Sequence, residues 1–265
     1  MISLGLNYYG HNSSCTFVKN GKIVFSLEEE RISRIKNDGK IPVLSVIEGL
    51  KFLNISINDI DIVVAATIPE RLVFEKYIKY PFQDFKLRKK LLYDEKAAKN
   101  LETLSNAEQL IRSKLKYKGE LKFINHHYAH QISTHYLSGF SKSCSVVIDG
   151  VGEIESTTIA KAYGKNISEL KRIDFPNSLG MVYSAVTEYL GFRPFSSEGT
   201  VMALASYGNF NAKVKNEKYI KIFRDIIKNH KTKIYEIDTS WFNYPFQREG
   251  WVSKKFLKVF GSKRK

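Results

Sequence analysis

The 265-residue sequence is 43% hydrophobic and 26% charged, which is typical of a globular protein, and no stretch approaches the roughly 18 apolar residues of a membrane span. The formal net charge of +15 raises the hypothesis of a nucleic-acid partner, but lysine greatly outnumbers arginine and no strand alternates aromatic residues with arginine. We therefore interpret the charge as a lysine-rich solvated surface and keep nucleic acid as the least favoured partner. The N-terminus lacks a signal-peptide pattern, and Cys15 and Cys144 lie in apolar runs, which predicts buried free thiols in a cytoplasmic protein.

The first 67 residues predict three strands, a helix and a fourth strand. Asn20-Gly21 between apolar runs is a strong hairpin signal. Apolar residues then recur at three- and four-residue steps after Pro42, which indicates a helix. The predicted strands cover residues 2–8, 14–18, 22–27 and 61–67, and the predicted helix covers residues 43–53.

From about residue 70 to residue 118 the chain becomes polar, basic and helical, with residues 97–115 the best stretch. Beyond it the pattern predicts a strand at 121–124, a helix from His126, a buried strand at 143–149 and a strand at 157–163 that pairs with it as a hairpin. Residues 177–180 open a helix that ends at Gly191, and residues 213–228 predict a basic amphipathic helix.

This order favours an α/β protein in which a strand-strand-strand-helix-strand unit begins again at Ser143. The pattern suggests two ribonuclease-H-like lobes of the actin-like (ASKHA) superfamily, which also includes sugar kinases and chaperone ATPases. The predicted domains are a first lobe at 1–142, with a helical elaboration at about 70–118, and the start of a second, truncated lobe at 143–265.

Four of the six histidines fall within ten residues, and two of them are spaced to share a metal ion. His126 and His130 are four apart, so they point from one face of a helix. Asp149 follows the next predicted strand, and strand ends and helix starts meet at one rim of an α/β sheet. Two imidazoles and a carboxylate suit iron(II), zinc or manganese. Helix capping by the histidines and a local backbone turn at Asp149 are the alternatives.

The turn at residues 8–14 is a second candidate site. Gly10 with Asn12 and Ser13 lets a backbone approach an anion, and His11 can act as a general base near neutral pH. A plain polar turn is the alternative.

Two more segments are candidates for binding phosphate. In the charged run at 28–36, Arg31 can pair with a carboxylate, which leaves Arg34 and Lys36 to bind phosphate. For Glu28 and Glu29, a solvated surface is the favoured interpretation. At 196–208, Glu198-Gly199 opens a short helix of small residues that suits an anion, although tight helix packing would need the same residues.

Taken together and in this order, the motifs resemble the O-carbamoyltransferases of nodulation-factor and antibiotic biosynthesis. The motifs that carry the resemblance span almost the whole chain: Leu4-Gly5-Leu6-Asn7, Gly10-His11-Asn12-Ser13-Ser14, Glu28-Glu29-Glu30-Arg31 with Arg34 and Lys36, His126-His127-Tyr128-Ala129-His130, Asp149-Gly150-Val151-Gly152-Glu153, Asn177-Ser178-Leu179-Gly180, and Glu198-Gly199 through Tyr207-Gly208.

The resemblance implies a two-step reaction. A C-terminal YrdC-like domain makes carbamoyl adenylate from carbamoyl phosphate and ATP, and the N-terminal domain transfers the carbamoyl group to a hydroxyl of a sugar-like acceptor with the help of bound Fe(II). By resemblance, His126, His130 and Asp149 are metal ligands, and His11 and Lys36 line the acceptor and carbamoyl site, with His11 accepting the hydroxyl proton.

The sequence also departs from the family pattern. Asn12, Ala203 and Ser206 stand where Asp, Gly and Pro are usual. A further aspartate ligand and a glycine-rich adenylate-binding segment, both expected later in the family's domain, are not found. We therefore expect weak metal binding by this chain alone. The chain is either part of a longer enzyme or half of a split enzyme completed by a second polypeptide, and the alternative is a non-catalytic remnant that serves as a binding module.

Overall fold

The computed structural model describes residues 1–79, 95–245 and 250–264, and divides the chain into two compact units, Met1–Ala129 and His130–Lys265. The division falls inside one continuous helix, His126–Ser138. This division does not test the predicted boundary between the two lobes at residue 142, which stays a prediction.

The first unit contains a five-stranded mixed sheet in the order β3-β2-β1-β4-β5. Its elements in chain order are β1 (Ile2–Asn7), β2 (Ser14–Lys19), β3 (Lys22–Glu28), α1 (Glu30–Ser33), α2 (Val43–Leu53), β4 (Ile62–Ala65), α3 (Pro69–Val73), a π-helical segment (Phe74–Lys79), α4 (Glu95–Ser105), α5 (Ala107–Leu115) and β5 (Glu120–Phe123). β1 is antiparallel to β2 and parallel to β4, and β4 is parallel to β5. This order and these directions define a ribonuclease-H-like lobe, so the predicted fold class is confirmed.

Local chemistry explains why this sheet forms where the sequence predicts it. Asn20 and Gly21 both adopt positive φ, as the tight β2–β3 hairpin requires. Leu4, Phe17 and Val63 are fully buried in the first apolar core. A Cβ at Gly49, in the middle of α2, would collide with the ring of Phe17, so the glycine lets this helix lie close against the sheet.

The helical prediction for residues 70–118 is confirmed where the structure describes it, although residues 80–94 lie outside the described residues. The stretch predicted at 97–115 forms two helices, α4 and α5, because the helical conformation is interrupted at Asn106 between them. Ala107, Ile111 and Leu115 recur on one face of α5 and are buried in the first core.

The second unit contains a three-stranded antiparallel sheet, β6-β7-β8, and two small hairpins. Its elements in chain order are α6 (His126–Ser138, which spans the division), β6 (Lys142–Ile148), β7 (Glu155–Tyr163), β8 (Asn166–Asp174), α7 (Leu179–Tyr189), α8 (Glu198–Leu204), β9 (Lys213–Val214), β10 (Glu217–Lys218), α9 (Tyr219–Ile226), β11 (Ile227–His230), β12 (Ile234–Ile237) and α10 (Lys254–Phe260). The predicted pairing of β6 with β7 is confirmed.

Two predictions for the second unit are wrong. The basic helix predicted over 213–228 covers only Tyr219–Ile226. Before it, the chain makes a hairpin whose turn residues, Lys215 and Asn216, both have positive φ. After it, Ile227 begins a strand that pairs with β12. In the strand predicted as buried at 143–149, only Val147 is buried, whereas Cys144, Val146 and Ile148 are exposed. Cys144 is therefore exposed, contrary to prediction, whereas Cys15 is buried as predicted.

Two buried glutamates anchor loops to helices. Glu29 is 4% exposed, contrary to the solvated surface expected for it, and its two carboxylate oxygens accept hydrogen bonds from the backbone N–H groups of Leu44 (2.9 Å) and Ser45 (2.8 Å) in the first turn of α2. In the second unit, Glu188 accepts from the N–H groups of Gly250 and Trp251. Burial raises the pKa of Glu188, but these two donors and Lys263 outweigh it and hold the pKa below its ordinary value.

We predict that Glu29→Ala lowers the free energy of unfolding by about 1–3 kcal/mol, because it leaves two backbone donors of α2 unsatisfied in a buried position. Glu28→Ala is the matched control: it removes only an exposed ion pair with Arg31 and should change stability by less than about 1 kcal/mol. Urea denaturation followed by circular dichroism measures both. Equal losses for the two variants would contradict the anchoring role of Glu29.

Candidate active site

One turn of α6 and the end of β6 bring together the three residues predicted as metal ligands. His126, His130 and Asp149 each offer one ligand atom, and these atoms all lie within 4.8 Å of one another. His126 and Asp149 are half-buried and His130 is exposed. Two ligands bonded to one ion at about 2.2 Å each lie at most about 4.4 Å apart, so side-chain adjustments of a few tenths of an ångström would let all three reach one ion. The residues therefore fit a small divalent cation.

Local contacts fix this helix start and orient the first imidazole. The Asn125 side chain accepts from the backbone N–H of Tyr128 (2.9 Å) and so caps α6. Nδ1 of His126 lies 3.4 Å from the carbonyl oxygen of Ala66, just after β4. A proton on Nδ1 that is donated to this carbonyl leaves Nε2 as the free electron pair for a metal.

The turn that carries Asp149 is held from two sides. Gly150 donates its N–H to Oδ1 of Asp149 (2.6 Å), and the backbone N–H of Asp149 donates to the carbonyl of Ser156 in β7 (2.9 Å). The hydroxyl of Ser178, the N-cap of α7, lies within hydrogen-bonding distance of the carbonyl oxygens of Asp149 (3.1 Å) and Gly150 (2.6 Å). A Cβ at Gly180 would lie only 2.6 Å from the Asp149 carbonyl oxygen. The sequence predicted a helix start here, but not that the start of α7 packs against the turn that carries Asp149.

The other two histidines of the cluster have a different environment. His127 and His135 are buried, at 1% and 3% exposure. The ring of His135 bridges Ser143 Oγ (2.8 Å) and the carbonyl oxygen of Gly164 (3.0 Å), and so ties α6 to β6 and to the β7–β8 turn. The cluster of four therefore divides into two residues of the candidate metal centre and two residues of the interior.

In the first unit, the structure brings together the two loops that contain His11 and Lys36. Tyr9 donates its N–H to the carbonyl of Gly39 (2.9 Å), and Ser13 donates both its N–H (2.7 Å) and its hydroxyl (2.9 Å) to the carbonyl of Asp38. Ser13 is completely buried, so in this structure it fixes the loop, and its predicted contact with substrate stays a prediction.

The polar groups on these loops remain accessible. Nδ1 of His11 lies 2.7 Å from Oδ1 of Asn12, and both groups are exposed. Arg34 is exposed and follows α1 with a φ of 58°. The side chain of Lys36 is 74% exposed and its Nζ lies 4.0 Å from Glu30, whose other oxygen accepts from the N–H of Asn37. The hydrogen-bonded loops thus present one exposed imidazole and two exposed cations. Among the residues that the structure describes, the ion pair of Lys36 with Glu30 is long, at 4.0 Å.

Glu198 and Gly199 lie in the first turn of α8, as predicted, but their contacts are local. Oε1 of Glu198 accepts from the hydroxyl of Ser184 (2.6 Å) and from the N–H of Phe195 (2.7 Å). A Cβ at Gly199 would meet nothing within 4 Å, so tight packing does not account for this glycine. Their predicted contact with phosphate or substrate stays a prediction.

The chain belongs to the carbamoyltransferase N-terminus family, whose model matches residues 2–265. It is 30% identical over 276 aligned positions to an uncharacterized protein of Synechocystis sp., covering 99% of this chain and 42% of that protein. It is 27% identical to the nodulation protein NolNO of Sinorhizobium fredii, covering 86% of this chain and 32% of that one. The chain therefore spans less than half the length of these relatives.

Among solved structures, YeaZ from Pseudomonas aeruginosa aligns at 12% identity with a TM-score of 0.32, covering 66% of this chain and 73% of that one, a likeness too low to carry an argument. In the described part of the chain, no helix is long and apolar enough to cross a membrane.

We predict that His130→Ala and Asp149→Asn each weaken binding of Co²⁺, used as a spectroscopic probe, by at least about 10–100-fold, since each removes one of three ligands. His230→Gln, on β11, is the control and should bind Co²⁺ as the unaltered chain does. Visible absorption during titration measures the affinity. Unchanged binding by His130→Ala would remove this residue from the metal centre.

We also predict that Gly180→Ala displaces Asp149, because the added methyl group would lie against the backbone of Asp149 and Gly150. The expected result is a loss of about 1–3 kcal/mol in stability and weaker Co²⁺ binding. The matched control is Gly199→Ala, another helical glycine, whose methyl group would enter open space and should leave Co²⁺ binding unchanged. If the two variants bind Co²⁺ equally well, the packing of α7 does not position Asp149.

Proposed function

We propose that this chain is the N-terminal catalytic region of a metal-dependent O-carbamoyltransferase. The observation that carries the proposal is the cluster of His126, His130 and Asp149 in a chain that belongs to the carbamoyltransferase N-terminus family. The donor set of two imidazoles and one carboxylate suits Fe(II) or another divalent metal and leaves coordination positions open. The bound metal would act as a Lewis acid on the carbamoyl carbonyl.

In the proposed reaction, the acceptor is a hydroxyl of a sugar-like small molecule and the donor is carbamoyl adenylate. His11 takes the proton of the hydroxyl, the hydroxyl oxygen forms a bond to the carbamoyl carbon, and AMP leaves with the electron pair of the broken bond. His11 is suited to this role because its imidazole is exposed and its Nδ1 is positioned by Asn12. Arg34 and Lys36, on the loop bonded to the His11 loop, supply positive charge for the phosphate of the donor.

Carbamoyl adenylate itself would be made from carbamoyl phosphate and ATP by a YrdC-like domain. That domain would lie on a longer polypeptide or on a second one, which agrees with relatives more than twice as long as the matched region. Because the chain spans less than half the length of these relatives, a second candidate function is a binding module that retains the fold without catalysing transfer. The two functions differ in whether the completed protein transfers a carbamoyl group.

The test is a transfer assay on the protein purified from its source together with whatever continues or accompanies the chain, supplied with Fe(II), ATP, labelled carbamoyl phosphate and a panel of sugars. We expect labelled carbamate ester on at least one hydroxyl acceptor. His11→Gln should lower kcat by about 10²–10⁴-fold while metal binding is retained.

The control for that variant is His230→Gln, which should leave kcat unchanged. Transfer at the same rate by His11→Gln would remove this residue from proton transfer. Formation of carbamoyl adenylate without any transfer to the sugar panel would favour the binding module.

A further inference from the structure

Phe195 combines a strained backbone with an exposed aromatic ring. It lies in the loop between α7 and α8, and its φ of 61° falls in the left-handed region that favours glycine. A bulky side chain in that region raises the energy of the folded state, and such residues concentrate at ligand-binding and active sites. The Phe195 side chain is 47% exposed. Burial in the second apolar core therefore does not account for a phenylalanine at this position.

Two contacts hold the backbone and the ring of Phe195 in place. Its N–H donates to Oε1 of Glu198 (2.7 Å), and the same oxygen accepts from the hydroxyl of Ser184 (2.6 Å). Its ring lies edge-to-face against the ring of Trp251, with 5.1 Å between the ring centroids. Trp251 is buried, and its backbone N–H donates to Glu188. The exposed ring is therefore held by a buried one.

The ring of Phe195 also lies next to the turn that carries a candidate metal ligand. Its Cε1 is 3.9 Å from the position of a Cβ built on Gly150. The N–H of Gly150 donates to the carboxylate of Asp149, one of the three candidate ligands. Gly180, which packs against this turn, and Ser184, which holds the Phe195 loop, are four residues apart and lie on one face of α7. One helix face thus supports both the turn of Asp149 and the loop of Phe195.

We propose that the ring of Phe195 is a binding platform for the acceptor, on which the C–H face of a saturated ring such as a pyranose packs beside the candidate metal centre. This inference rests on the proposed function and names the residue that selects a ring-shaped hydroxyl acceptor. The face of an aromatic ring carries negative partial charge, which attracts the slightly positive C–H groups of such a ring.

The chemistry of transfer favours the acceptor over the donor's adenine as the group on this platform. The acceptor oxygen must come within bonding distance of a carbamoyl carbon held at the candidate metal centre, so the ring that bears the hydroxyl lies close to Asp149. The adenine of carbamoyl adenylate is separated from that carbon by the phosphate and the ribose. Phe195 lies beside the turn of Asp149, where the acceptor ring is expected.

The first measurement is sugar binding, independent of turnover. It uses the protein purified together with whatever continues or accompanies the chain, without added metal, and the methyl glycosides of glucose, mannose and N-acetylglucosamine as probes in saturation-transfer difference NMR. We expect at least one probe to bind and Phe195→Gly to weaken its binding by about 5–50-fold. Phe195→Leu, which keeps an apolar side chain without a ring, should also weaken it. Phe195→Tyr keeps the ring and should bind within about twofold of the unaltered protein.

Two further readouts separate ligand contact from an effect on the fold. Phe195→Gly relieves backbone strain while it removes the contact with Trp251, so its melting temperature should stay within about 4 °C of that of the unaltered protein. Its Co²⁺ affinity should be unchanged, because all three candidate ligands are retained. Phe140→Gly is the matched control. Phe140 is 67% exposed but follows the end of α6 opposite to the two candidate ligands, so its replacement should leave sugar binding unchanged.

The transfer assay then distinguishes this inference from the proposed function. Phe195→Gly should raise KM for the sugar by a factor similar to its loss of binding, and leave kcat and the KM for ATP within about twofold, because the ring binds the acceptor equally before and during transfer. Absence of any transfer, together with sugar binding that depends on Phe195, would contradict the proposed function and retain the platform.

Equal sugar binding by Phe195→Gly and the unaltered protein would overturn the proposal, and so would the absence of binding by all three probes. Weaker binding of AMP by Phe195→Gly with unchanged sugar binding would assign the ring to the adenine of the donor, which also contradicts the proposal. A fall in melting temperature well beyond about 4 °C with unchanged sugar binding would assign the ring to packing alone.

Discussion

Burial of backbone polar groups around Asp149 is the constraint on which the candidate metal centre depends. The aspartate follows a strand directly, its own N–H is bonded to β7, and its carbonyl lies under the N-terminus of α7, where only a glycine fits at position 180. The N–H of Gly150 also holds Oδ1 of this carboxylate, and a cation bound at the candidate metal centre would be attracted to its charge. The four-residue spacing of His126 and His130 places both imidazoles on one face of α6, near this carboxylate.

The same principle operates in the first unit, where a buried carboxylate and a buried hydroxyl shape the loops that carry the candidate catalytic groups. Glu29 holds the N-terminus of α2, and Ser13 joins the loop of His11 to the loop of Lys36 through the carbonyl of Asp38. Rigid elements therefore position the exposed imidazole and cations. Function in this interpretation lies in side chains that remain exposed, whereas their buried neighbours determine where those side chains stand.

Much of this arrangement can be predicted from sequence because it follows local rules. The Asn20-Gly21 turn, the apolar period of α2 and the four-residue spacing of the two histidines are each contained in a short window. The failures are non-local. The burial of Glu29 depends on a helix start 15 residues away. The exposure of Cys144 depends on the absence of a neighbouring strand in the described sheet. The need for Gly180 arises from a turn 30 residues earlier. An apolar run such as that of β6 predicts a strand but does not indicate whether anything covers it.

The central claim is that one divalent metal binds to His126, His130 and Asp149. The most direct measurement is iron K-edge X-ray absorption on the protein purified together with whatever continues or accompanies the chain, loaded with Fe(II) without oxygen and then freed of loosely bound metal. The account predicts retained iron whose spectrum shows the multiple-scattering pattern of about two imidazoles together with oxygen ligands at about 2.0–2.2 Å. Iron that washes out, or a spectrum of oxygen ligands without any imidazole, would contradict it.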